Sequence, residues 1–144
     1  MQFVVGADEA NEVTNAVVRE LRQRGHEVVL VPPMPWPDLA QRVGEDVAQG
    51  AADQGVLFCW TGTGTAMAAN KIPGVRAALA WEPWIATGAR RWNDANVLVM
   101  SFKRLTAEEA CAILHAWLAV EAPDADEVKN ISRLAELERR SKPS

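Results

Sequence analysis

Five short apolar runs, separated by stretches long enough to form helices, constrain this chain more than any other feature. They are Phe3-Val4-Val5-Gly6, Val28-Val29-Leu30-Val31, Gly55 to Phe58, Val75 to Leu79 and Asn96-Val97-Leu98-Val99-Met100. Apart from Arg76 in the fourth and Asn96 opening the fifth, they are continuously apolar rather than alternating, so the strands must be covered on both faces. The intervening stretches are too long for hairpins but suit helical crossovers. Residues from about Asp8 to Arg24 carry Val13, Val17 and Leu21 at helical spacing, and Gly25 is a stop signal. After the Pro-rich turn Pro32–Pro37, a helix opens at Pro37-Asp38 and runs to about Gly50. A third helix ends near Pro73-Gly74, a fourth covers about Pro83 to Arg91, and Thr106-Ala107-Glu108-Glu109 reads as a capping box opening a helix to about Val120. A last amphipathic helix is expected from Asp124 to about Arg140, followed by a frayed tail.

This pattern predicts one α/β domain over residues 1–144: a doubly wound, Rossmann-like three-layer fold on a five-stranded parallel sheet. The last helix has no strand to cover and is expected to pack on a second subunit.

Composition narrows the partners. The net charge is −4 and no basic stripe is present, which argues against nucleic acid. No apolar run reaches the roughly 18–20 residues needed to span a bilayer, and no basic leader opens the chain, so a cytoplasmic protein without membrane association is expected. Two cysteines and two histidines do not suggest a metal site, and no cofactor is expected. Six tryptophans with no tyrosine are unusual.

The chemistry concentrates in the run Cys59-Trp60-Thr61-Gly62-Thr63-Gly64-Thr65. A thiol at the carboxyl end of the third strand faces a loop of backbone N–H groups, where open α/β sheets place ligands. The thiol can serve as base or nucleophile, and the loop can hold an anion or a developing oxyanion. Structural readings compete: a strand-end cysteine is often a small buried hydrophobe, Gly62 and Gly64 can serve only the turn, and Asp8 can merely cap the first helix. Cys111 on an apolar helix face is expected to be core. Trp81 and Trp117 are expected to pack, and His26 and His115 to carry no chemistry.

The block Gly-Val-Leu-Phe-Cys-x-Thr-Gly-x-Gly, with Ala68-Ala69-Asn70-Lys71-Ile72-Pro73-Gly74-Val75-Arg76-Ala77-Ala78-Leu79, resembles the ribose-5-phosphate isomerase B and galactose-6-phosphate isomerase family. Val5-Gly6-Ala7-Asp8, Gly25-His26-Glu27-Val28, Trp36-Pro37-Asp38, Ala52-Asp53-Gln54-Gly55, Glu82-Pro83 and Asn93-Asp94-Ala95-Asn96-Val97-Leu98 extend the resemblance over about residues 2–120. It implies aldose–ketose isomerisation through an enediolate in a cleft shared by two subunits of a homodimer. By the same resemblance Cys59 is the proton-transfer base, and Thr61 with the N–H groups of Gly62, Thr63, Gly64 and Thr65 holds the enediolate. Asp8 then binds substrate hydroxyls and Asn93 lines the pocket.

The sequence departs from the family pattern at functional positions. Glu9 stands where the family has histidine after the aspartate, Trp92 replaces the ring-opening histidine, and Trp60 replaces the glycine after the cysteine. Trp36 and Trp84 replace tyrosines, Asp126 and Asn130 stand at two arginine positions, and Lys103 keeps one positive charge. A phosphate dianion would meet carboxylates in place of a charge-assisted fork. The expectation is therefore a non-phosphorylated, less polar carbonyl substrate, isomerised, tautomerised or epimerised in a cleft bordered by Trp36, Trp60, Trp84 and Trp92. The competing functions are a non-catalytic relative that binds a ligand or partner in that cleft, and a nucleotide-binding module.

Overall fold

The computed structural model describes residues 1–141, so the expected frayed tail at 142–144 lies outside the described residues. The chain runs β1 (Gln2–Ala7), α1 (Glu12–Gln23), β2 (Glu27–Leu30), α2 (Trp36–Ala48), β3 (Gln54–Cys59) and α3 (Thr63–Ala69). It continues through β4 (Ala77–Leu79), α4 (Pro83–Asn93), β5 (Val97–Ser101), α5 (Ala107–Leu118), a short 3-10 turn (Ala125–Glu127) and α6 (Val128–Arg140). All five strands are parallel, in the order β2-β1-β3-β5-β4. This is the expected doubly wound α/β fold.

Two cores form on the two sheet faces because β1, β3 and β5 are apolar on both. Phe3, Val5, Phe58, Leu98 and Met100 meet α1, α4 and α5 on one side, through Val17, Leu21, Ala86, Ile113 and Trp117. Val4, Leu57 and Val99 meet α2 and α3 on the other, through Leu39, Val43, Val47 and Ala69. Trp117 is fully buried, its indole N–H donating to Gln54 Oε1 at 2.8 Å and the Arg90 guanidinium lying 5.4 Å from its ring. Cys111 packs at the margin of the same core.

Several boundaries differ from the expected ones for identifiable reasons. α1 begins at Glu12, not near Asp8, because Asn11 is the cap and its side chain accepts the Thr14 N–H at 2.8 Å. β4 begins at Ala77 rather than Val75: Val75 turns into the second core, and the N–H of Arg76 is taken by Asn96 Oδ1 at 2.8 Å. α4 extends past Arg91 to Asn93, and its last turn is closed by Asp94 in the left-handed region. The last helix is broken at its start, the 3-10 turn preceding α6.

None of the α6 residues is buried, and Val128, Leu134 and Leu137 are exposed apolar side chains. Two polar ties hold α6 and its leading turn. Both Glu138 carboxylate oxygens accept the Gly74 N–H at 3.1 Å, and Arg91 pairs with both oxygens of Asp124. Among the described residues no helix is long and apolar enough to cross a membrane.

Candidate active site

The sheet order reverses between β1 and β3, since the chain leaves β1 toward β2 and returns on the other side as β3. The carboxyl ends of these strands therefore open a crevice, the usual ligand position in such sheets. Asp8 follows β1, Cys59 ends β3, and Ser101 lies opposite Cys59 at the end of β5.

Cys59 is only 5% exposed. Its sulfur accepts the Gly62 N–H at 3.1 Å and lies 3.3 Å from Thr65 Oγ1. That geometry requires the chain to reverse within three residues, and Gly62 does so at φ +82°, in the left-handed region that disfavours a side chain. The Thr65 hydroxyl is anchored on the Gly62 carbonyl at 3.3 Å, so thiol, hydroxyl and turn form one small ring of contacts.

The loop uses part of its own anion-holding capacity. The Gly62 N–H is directed at sulfur, and the Thr63 N–H donates to Thr61 Oγ1 at 3.3 Å. Among the described residues no acceptor meets the N–H groups of Gly64 and Thr65, two first-turn positions of α3 that have no partner within the helix. Two of the four expected amides thus face inward on the loop and two remain open. Trp36 backs this turn: a Cβ on Gly64 would sit 3.1–3.3 Å from its ring.

Across the crevice, Asp8 is half-buried, and its Oδ1 is buried without a hydrogen-bond partner among the described residues. Burial pushes its carboxyl above the ordinary value, backbone N–H donors at Asp8 and Glu9 work against that, and the Glu9 charge adds to it. Asp8 does not cap α1: Asn11 takes that position, so the competing capping reading of Asp8 falls away.

A groove of about 520 Å³ adjoins the loop along the ends of β3, β4 and β5. Trp60, Leu79, Ala80 and Trp81 form apolar walls, while Thr61, Ser101, Lys103 and Arg104 supply polar groups. Trp60 is fixed on two sides: its indole N–H donates to Glu9 Oε1 at 3.0 Å, and Lys103 Nζ lies 4.7 Å from its ring centroid. The Ser101 hydroxyl donates to the Trp60 carbonyl and accepts the Arg104 N–H, joining the β3 and β5 loops.

The other tryptophans divide. Trp84 sits in the first turn of α4, its N–H donating to Glu82 at 2.9 Å, and it is not a wall of this groove. Trp92 and Asn93 occupy the last turn of α4, which runs from the carboxyl edge of the sheet back to its amino edge. An eleven-residue helix covers about 16 Å, so within one protomer they do not meet the Cys59 loop. Trp81, expected to pack in the core, is instead 51% exposed and lines the groove. Its place after β4 was the available signal, since strand ends in this fold point at the ligand edge.

The fold and site define a class: a doubly wound α/β protein with a strand-end thiol held in a threonine-glycine turn. The chain belongs to the ribose/galactose isomerase family, whose model matches residues 3–137. It is 35% identical to ribose-5-phosphate isomerase B of Escherichia coli (strain K12) over 105 residues, 73% of this chain and 70% of that protein. It is 28% identical to D-erythrulose-4-phosphate isomerase of Pectobacterium atrosepticum over 149 residues, 99% of this chain and 98% of that one. The structure of Clostridium thermocellum ribose-5-phosphate isomerase B superposes with a TM-score of 0.93 at 28% identity, covering 99% of this chain and all of the other.

Proposed function

We propose that this protein is an aldose–ketose isomerase in which Cys59 moves a proton between adjacent carbons of a hydroxy-carbonyl substrate. The observation that carries the reading is the thiol pinned by the Gly62 N–H beside the unpaired N–H groups of Gly64 and Thr65. In the reaction Cys59, as thiolate, takes the proton from the hydroxyl-bearing carbon next to the carbonyl. The electron pair moves to the carbonyl oxygen, giving an enediolate held by the open loop amides and Thr61. The proton returns to the former carbonyl carbon while the hydroxyl proton passes from the neighbouring oxygen to the former carbonyl oxygen, so one carbon is oxidised, its neighbour is reduced, and no external reductant is needed. A well-aimed donor of this kind contributes about 3–4 kcal/mol to the transition state. The half-buried Asp8 carboxylate at the end of β1 accepts a hydrogen bond from a substrate hydroxyl.

The substrate proposed is non-phosphorylated and less polar than a sugar phosphate. This rests on the indole and aliphatic walls of the groove and on Glu9 standing at its edge. A second reading, retention of a sugar phosphate, is favoured by Lys103 and Arg104 on the groove and by the substrates in the names of the relatives.

We also propose a homodimer. Trp92 and Asn93 would then approach the Cys59 loop of the other subunit, and the exposed apolar stripe of α6 would be covered.

Deuterium exchange into a panel of free sugars, sugar phosphates and simple hydroxy-ketones tests the reaction. Wild type is expected to exchange the carbon-bound proton, with Cys59→Ala at least about 10²-fold slower. Equal rates in the two proteins would overturn the assignment of the base. Titration calorimetry with ribose 5-phosphate separates the two substrate readings, micromolar binding favouring the phosphate.

A further inference from the structure

Glu9, Trp60 and Lys103 make a connected unit that the proton-transfer chemistry does not require. A tryptophan immediately after the reactive cysteine, 58% exposed, would ordinarily be free to swing. Here its N–H is held by the Glu9 carboxylate at 3.0 Å and one ring face by Lys103 Nζ at 4.7 Å. Its backbone is tied by the Ser101 hydroxyl to the β5 loop. The indole is thus set as a wall, and the groove it bounds carries a second exposed indole, Trp81, with Leu79 and Ala80 between.

We infer that Trp60 and Trp81 are specificity-determining residues, and that the groove takes a planar, apolar substituent of the substrate next to its isomerised carbons. The proposal rests on the isomerase reading of Cys59 and names the substrate class: hydroxy-carbonyl compounds bearing an aryl or similar flat group. Indole faces favour stacking on such groups, and the pinned Trp60 wall loses little conformational entropy on binding. An all-hydroxyl sugar tail would set part of its polar surface against the indole and Leu79 walls, which offer it no hydrogen bond, leaving Thr61, Ser101, Lys103 and Arg104 to answer the rest. Glu9 and Lys103 are positioning residues that act through Trp60. The Glu9 carboxylate fixes the ring rotation by its hydrogen bond, and the Lys103 ammonium holds the ring plane by cation–π attraction.

The test compares two carbonyl compounds with the same reacting group. In 2-hydroxyacetophenone, removal of the carbinol C–H proton gives a phenyl enediolate, and return of a deuteron completes exchange without net redox change. Dihydroxyacetone undergoes the same step without the ring. Wild type is expected to exchange 2-hydroxyacetophenone with a kcat/KM at least tenfold above that for dihydroxyacetone. Trp60→Ala and Trp81→Ala are each expected to remove most of that preference, lowering kcat/KM for 2-hydroxyacetophenone more than for dihydroxyacetone. Glu9→Ala should act like Trp60→Ala, whereas Glu9→Gln, which keeps an acceptor oxygen, should retain the preference. A preference that is absent in wild type, or unchanged in Trp60→Ala and Trp81→Ala, overturns the proposal.

Calorimetric binding of both compounds to Cys59→Ala gives a readout independent of turnover. If neither compound exchanges, the base assignment has failed, and the walls are judged on binding alone. Tighter binding of 2-hydroxyacetophenone that weakens in Cys59→Ala/Trp60→Ala sustains them, and equal binding of the two compounds rejects them.

Discussion

Asp8 and Cys59 face the same crevice from adjacent strands, yet they meet different environments. Cys59 has its sulfur contacts supplied by Gly62 and Thr65, whereas Asp8 leaves Oδ1 buried with no described partner. Burial raises the Asp8 carboxyl above its unfolded value. A carboxyl shifted that way contributes its full stability below the unfolded pKa and loses it as pH rises through the folded one. Asp8→Asn should therefore melt at a higher temperature than wild type near neutral pH, and the difference should shrink as pH falls below the ordinary carboxylate range. Scanning calorimetry across pH checks this. The same variant should bind substrate more weakly, because an acceptor for a hydroxyl becomes partly a donor. Loss of stability at neutral pH with unchanged affinity would contradict both the buried charge and the substrate role.

At the scale of elements, the helices behave as their termini dictate. Thr106 Oγ1 accepts the Glu109 N–H at 3.1 Å and Glu109 Oε1 accepts the Thr106 N–H at 2.9 Å, the capping box read from four consecutive residues. Thr106→Ala should cost about 1 kcal/mol in a urea unfolding titration. Such local signals are legible because partners three residues apart are always close. The sequence pattern overextends β4 because the strand's start depends on Asn70, whose side chain pairs with both the N–H and the carbonyl of Ala77, standing in for a missing neighbour strand. That contact spans seven residues and a turn, so no local spacing announces it. α4 posed the same difficulty: Trp84 and Trp92 look equivalent in sequence, but the helix carries them to opposite edges of the sheet.

Assembly belongs to the whole molecule. α6 presents Val128, Leu134 and Leu137 as exposed apolar side chains, and Glu138 and Asp124 tie it and its leading turn to the body. In the proposed homodimer this stripe is covered, so wild type should sediment at twice the chain mass. Leu134→Lys with Leu137→Lys should shift it to monomer and lower turnover, since Trp92 and Asn93 would no longer reach a neighbouring loop. Sedimentation velocity checks the mass, and a monomeric wild type with full activity would remove the shared cleft. The alternation of apolar runs and helical segments was enough to imply the parallel sheet and its two cores, because burial on both faces leaves few other arrangements. The thiol and its glycine turn were likewise legible, since every group involved lies within seven consecutive residues. The walls of the groove were not. Trp60 gains its orientation from Glu9 and Lys103, and Trp81 its place beside it, through contacts between separate strand ends that register and sheet order alone bring together.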